Sequence, residues 1–93
     1  MAQAIAVQPY VMVERAVKHQ AQTTTVKNYE LHLFETKITS FQREFSIRHV
    51  YDMSFKIISG QEGFLYLHTN EGVYSYRVMD NPEKFITAYR NLR

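Results

Sequence analysis

Four histidines, His19, His32, His49 and His68, are the side chains here best suited to chemistry. Imidazole ligates metals and moves protons near neutral pH. Their spacing gives neither HxxxH nor HExxH, the arrangements that set two ligands on one helical face. His32 and His68 could meet across strands and recruit Glu30. Nothing supplies a closed ligand set, so surface or structural roles are the simpler reading. Ser54 and Asp52 share one face of an alternating strand, but a serine nucleophile also needs a base, and no histidine is evident beside them. Arg48, His49 and Asp52 could form an acid–base group; an exposed ion pair is the plainer expectation. Gly60 and Gly63 in SGQEG match no phosphate-cradling loop and are expected to serve a turn. With no cysteine in the chain, thiolate metal sites and disulfides are excluded. No catalytic, cofactor or metal site is expected, and the chain reads as non-enzymatic.

The element that must position any binding residue is GFLYLHTNEGVYSYR, residues 63–77. Its aromatics crowd around one turn, and the parity of the loop decides which of them share a face. A three-residue loop, Asn70-Glu71-Gly72, would set Phe64, Tyr66 and His68 against Val78, Tyr76 and Tyr74. A loop of even length puts Leu65 and Leu67 with Tyr74, Tyr76 and Val78, and leaves Tyr66, His68, Ser75 and Arg77 on the other side. The even register separates apolar from polar, and each buried large apolar side chain contributes roughly 1.5–3 kcal/mol. It is therefore expected, although Glu71 suits positive φ poorly in a two-residue Glu-Gly loop. The rings then mainly fill a core. Tyr66, His68 and Arg77 become the candidate interaction surface, Tyr and Arg being common interface anchors. Coverage of that face by the N-terminal segment is the competing expectation.

NYELHLF alternates, with Tyr29, Leu31 and Leu33 on one face. ETK reads as a tight turn and KITSFQREFSI as extended chain. HVYDMSFKI sets Tyr51, Met53, Phe55 and Ile57 against Asp52, Ser54 and Lys56. DNPEKFITAYRNLR reads as a helix: Asp80 or Asn81 as N-cap, Pro82 in the first turn, and Phe85, Ile86, Tyr89 and Leu92 on one stripe. Residues 1–27 are harder to read, because Tyr10, Val13 and Val17 also fit helical spacing. Extended structure is expected for about residues 5–17, as a strand of the same single domain whose core is 28–93.

Ninety-three residues allow one core. The longest apolar runs, AIAV, YVMV and FLYL, are four residues each, against about 20 for a membrane span. MAQAIAVQPY has no basic n-region, so no secretory signal is expected. Eleven Lys and Arg face nine Asp and Glu. They are interspersed rather than striped, so nucleic acid is not an expected partner. A cytoplasmic location is the expectation.

FSIRHVYDMSF, GFLYLHTNEGVYSYRV and NPEKFITAY resemble a bacterial pleckstrin-homology-like (PH-like) family of the sublancin-immunity type. The likeness covers roughly residues 28–93. It implies a mostly β, α+β fold: a bent antiparallel sheet or partial barrel capped by one C-terminal helix. No membrane-anchoring run accompanies it, and the loop FETKI offers only Lys37 where phosphoinositide-binding members carry several basic residues. The expectation is thus a non-catalytic binding or adaptor module, without cofactor, whose partner is a protein or peptide held by surface contact or strand addition. Homo-oligomer formation stays open. The alternatives are an immunity or envelope-stress factor reaching the membrane through a partner, and a small-ligand carrier using the barrel mouth.

Overall fold

The computed structural model describes residues 3–18 and 21–92, with side chains described outside 14–23. Seven strands run in chain order: β1 (Ala6–Lys18), β2 (Ala21–Leu33), β3 (Lys37–Thr39), β4 (Glu44–Ser46), β5 (Val50–Ser59), β6 (Glu62–Thr69) and β7 (Gly72–Val78). One helix, α1 (Glu83–Asn91), follows. All pairings are antiparallel, and the strands lie in the order β4-β3-β2-β1-β7-β6-β5. A bent seven-stranded antiparallel sheet closed by a C-terminal helix is a PH-like architecture.

β1 is extended, and so is the start of β2, which runs through residue 27 into NYELHL. β1 pairs with β2 along its whole length and touches β7 at Val11↔Arg77. It therefore joins two halves of one sheet edge to edge and does not lie across the outer face of β6 and β7.

The β6–β7 hairpin has the even register. Leu65 faces Tyr76, Leu67 faces Tyr74, and Thr69 faces Gly72 across the two-residue loop Asn70-Glu71. The Thr69 hydroxyl braces that loop, accepting from the Glu71 N–H at 3.2 Å and donating to the Gly72 carbonyl at 2.8 Å. Leu65, Leu67 and Val78 are fully buried with Leu31, Leu33 and Ile38.

α1 lies over this inner face and buries Phe85, Ile86 and Tyr89, while Leu92 is half-buried. The Tyr89 hydroxyl donates to the Val50 carbonyl at 2.6 Å inside the core. Pro82, not Asp80 or Asn81, occupies the N-cap position. Asn81 still contributes, because its Oδ1 accepts the Glu83 N–H at 2.9 Å.

Other details differ from the periodic reading. The 37–47 stretch folds into the short strands β3 and β4 around a turn at 40–43, then a 3₁₀ turn, Ile47–His49. Tyr51 leaves the apolar face: the register shifts between Val50 and Asp52, which buries Val50 and Met53 and leaves Tyr51 55% exposed. One extra residue in a strand re-aims its neighbours. Ile57 keeps inner-face parity, opposite Gly63, yet is 58% exposed. Gly60 does form the β5–β6 turn, with φ +57. Gly63 instead lies buried in β6, where the chain passes close to the Phe55 ring.

Candidate functional site

Tyr66, His68 and Arg77 share the outer face of the β6–β7 hairpin, because each alternates with an inward Leu, Tyr or Val. Tyr66 and His68 are half-buried and Arg77 is exposed. Arg77 is bound by Glu62 across the hairpin, through its Nε at 2.9 Å and its Nη2. Phe64 stands beside Tyr66, with ring centroids 6.3 Å apart.

β5 adds a residue that the sequence did not connect to this face. Asp52 pairs with His68 and Ser54 with Tyr66, so Ser54 sits diagonally across from His68. Ser54 Oγ and His68 Nε2 are 2.8 Å apart. Only the strand register could reveal this meeting. The distance suits a nucleophile and its base. The third member is turned away: Asp52 Oδ1 accepts the Met53 N–H at 2.8 Å and lies 3.9 Å from Arg90 of α1. The ion pair expected between Asp52 and Arg48 or His49 is thus replaced by a looser one with the helix.

The other histidines stand apart. His32 is on β2, separated from β6 by β1 and β7, so it does not meet His68. It lies 3.7 Å from Glu30. His49 is exposed in the 3₁₀ turn, and His19 lies outside the described residues.

Two of the recesses among the described residues lie close to candidate binding side chains. The first runs between β5 and α1, a groove of about 310 Å³ lined by Met53, Phe55, Ile57, Ile86, Thr87 and Arg90 among others. β5 is the last strand of the sheet and has a neighbour on one side only. Helix side chains reach its first half, through Tyr89 to Val50 and Arg90 to the Met53 carbonyl. Ser54, Phe55 and Ile57 line the groove beyond Met53, and on the side of β5 away from β6 no strand is paired among the described residues.

The second recess is a cleft of about 170 Å³ lined by Tyr10, Ser40, Phe41, Arg43, Tyr74 and Tyr76 among others. The Arg43 guanidinium sits 4.7 Å over the Tyr74 ring and donates to its hydroxyl at 3.3 Å. Tyr10 and Tyr76 meet edge to face at 4.9 Å. Burial pushes the Tyr76 hydroxyl above its usual value of 10.0, more than the Ser40 hydrogen bond and the Arg43 charge pull it down. Phe41 is exposed at the rim and stacks on Tyr29 at 4.3 Å.

No family model, curated protein or solved structure matches the chain. Among the described residues, no helix is long and apolar enough to cross a membrane.

Proposed function

We propose that this chain is a non-catalytic PH-like binding module whose partner is a protein or peptide segment taken up as an added strand along β5. The observation that carries the reading is the edge itself: β5 is ten residues long, ends the sheet, and borders a groove beside α1 in which Met53, Phe55, Ile57 and Ile86 stand among polar side chains. An extended peptide can hydrogen-bond to such an edge through its main chain, while alternate side chains enter the neighbouring groove. The partner is thus an extended segment with apolar residues two apart, which would contact Phe55, Ile57 and Ile86. Its other side chains would come beside Ser54 and Lys56, one strand from Tyr66 and His68. Ser54 and His68 serve here as polar contacts; catalysis would require the orienting carboxylate that Asp52 does not provide.

Selection from a phage-displayed library of linear peptides tests the proposal, followed by amide exchange on the complex. Slowed exchange of amides between Ser54 and Ser59, and loss of binding in Ile57→Glu, is the expected result. Selected peptides that leave β5 amides unprotected would overturn it. Protection centred on Arg43 and Tyr74 would favour the second reading, a small-ligand carrier, which draws its support from the aromatic cleft between Tyr10 and Tyr74. The immunity reading keeps only the resemblance as support.

A further inference from the structure

We propose that the outer half of the β1–β2 ribbon is a homodimer contact, in which the edge of β2 from Ala21 to Lys27 pairs antiparallel with the same edge of a second copy. β1 and β2 are 13 residues each and pair from Ala6↔Leu33 to Lys18↔Ala21 without a register shift. The rest of the sheet meets only one end of this ribbon. β7 aligns with β1 at Val11, and β3 aligns with β2 at His32 and Leu33. Beyond Val11 and before His32 no third strand is paired among the described residues, and the molecule is elongated, 50 × 29 × 26 Å. An isolated two-stranded ribbon is marginal in water; three or more strands, or a packed face, are needed to support one.

The two edges of the ribbon differ in charge. Its β1 portion carries Glu14, Arg15 and Lys18, whereas Ala21 to Val26 reads AQTTTV with no charge. Edges that must stay unpaired are usually blunted by charge, proline or a bulge; Ala21 to Val26 has none of these, and the one charge of the proposed edge, Lys27, stands at its end. The stretch is also complementary to itself, which selects a second copy as the occupant. A twofold axis perpendicular to the sheet at Thr24 brings Thr24 opposite Thr24. It also brings Thr23 opposite Thr25 of the second copy, and Gln22 opposite Val26. Lys27 then falls opposite Ala21, so no like charges meet. Threonine pairs are among the favourable cross-strand pairs, and an isologous contact of this kind closes at two subunits. The two hairpins become one four-stranded ribbon.

The test uses the full chain. In sedimentation equilibrium the native mass should rise from 11.0 kDa towards twice that value as concentration increases. Thr24→Pro, which removes one backbone donor, should return the 11.0 kDa species at the same concentrations. The native sequence has no cysteine, so Thr24→Cys introduces a single thiol at the axis with little change in size. Mild oxidation should convert it to a disulfide dimer. Val26→Cys is the control: its two thiols would lie about 13 Å apart along the strands, beyond disulfide reach. A native chain that stays monomeric at every concentration overturns the proposal. So does a dimer untouched by Thr24→Pro, or a Thr24→Cys protein that cross-links no faster than Val26→Cys. The comparison of the two cysteine variants stands even if Thr24→Pro unfolds the ribbon.

Discussion

Gly63 and Tyr76 set the sharpest constraints on single residues. A Cβ at Gly63 would lie 2.2 Å from the Lys56 carbonyl oxygen and 2.7 Å from the Phe55 ring. Backbone cannot yield as a flexible side chain can, so Gly63→Ala is expected to cost about 1–3 kcal/mol. Urea melts measure the loss, and an unchanged midpoint would contradict this account of the close approach. Tyr76 carries a pH dependence. Its hydroxyl titrates above 10.0 in the folded chain because burial disfavours the phenolate. The stability it contributes is whole below the unfolded value of 10.0 and is lost as pH rises through the higher folded value. Tyr76→Phe should therefore flatten the alkaline fall in stability relative to the native protein. Equal alkaline slopes in the two proteins would show that Tyr76 is not the group responsible.

Among the elements, α1 depends most on one stripe of side chains. Phe85 is 1% exposed, and Phe85→Ala should destabilise by ~3–5 kcal/mol. A loss below about 1 kcal/mol in denaturant melts would mean that the helix is not docked on the sheet. Tyr89→Phe isolates the buried bond to Val50 and should cost about 1 kcal/mol. The outer face of β6–β7 should behave differently. Its Arg77–Glu62 pair is solvent-screened, and exposed pairs contribute about 0–1 kcal/mol. Replacing Tyr66 and Arg77 together by alanine should leave the melting midpoint nearly unchanged while weakening partner capture. A large stability loss with unaltered binding would identify that face as internal packing.

At the scale of the whole molecule, binding to an anionic membrane depends on clustered basic residues. Lys37, the one basic residue of the β2–β3 turn region, is held by Glu44 at 3.0 Å and lies 5.8 Å from the Phe34 ring centroid. Juxtamembrane binding draws about 1 kcal/mol from each basic residue near the surface, so a cluster is needed. In flotation with anionic vesicles at physiological salt the protein should remain at the bottom of the gradient. Recovery of most of it with the lipid would refute this and would revive a direct membrane role.

Local pattern determined those parts of the structure whose partners are near in sequence. The even register of β6–β7 followed from separating Leu65, Leu67, Tyr74 and Tyr76 from Tyr66, His68 and Arg77. The docked helix followed from Phe85, Ile86 and Tyr89 at helical spacing. Both rest on periodicity, which is written within a dozen or so residues. Tertiary structure decided the rest. A single bulge moved Tyr51 outward, and the strand order set β1 between β2 and β7. The long-range register of β5 on β6 brought Ser54 to His68 and turned Asp52 towards Arg90. Among the described residues the same order left β5 and the outer part of β2 each with a strand on one side only. Which strands neighbour one another depends on packing between segments far apart in the chain, and no local period encodes that choice.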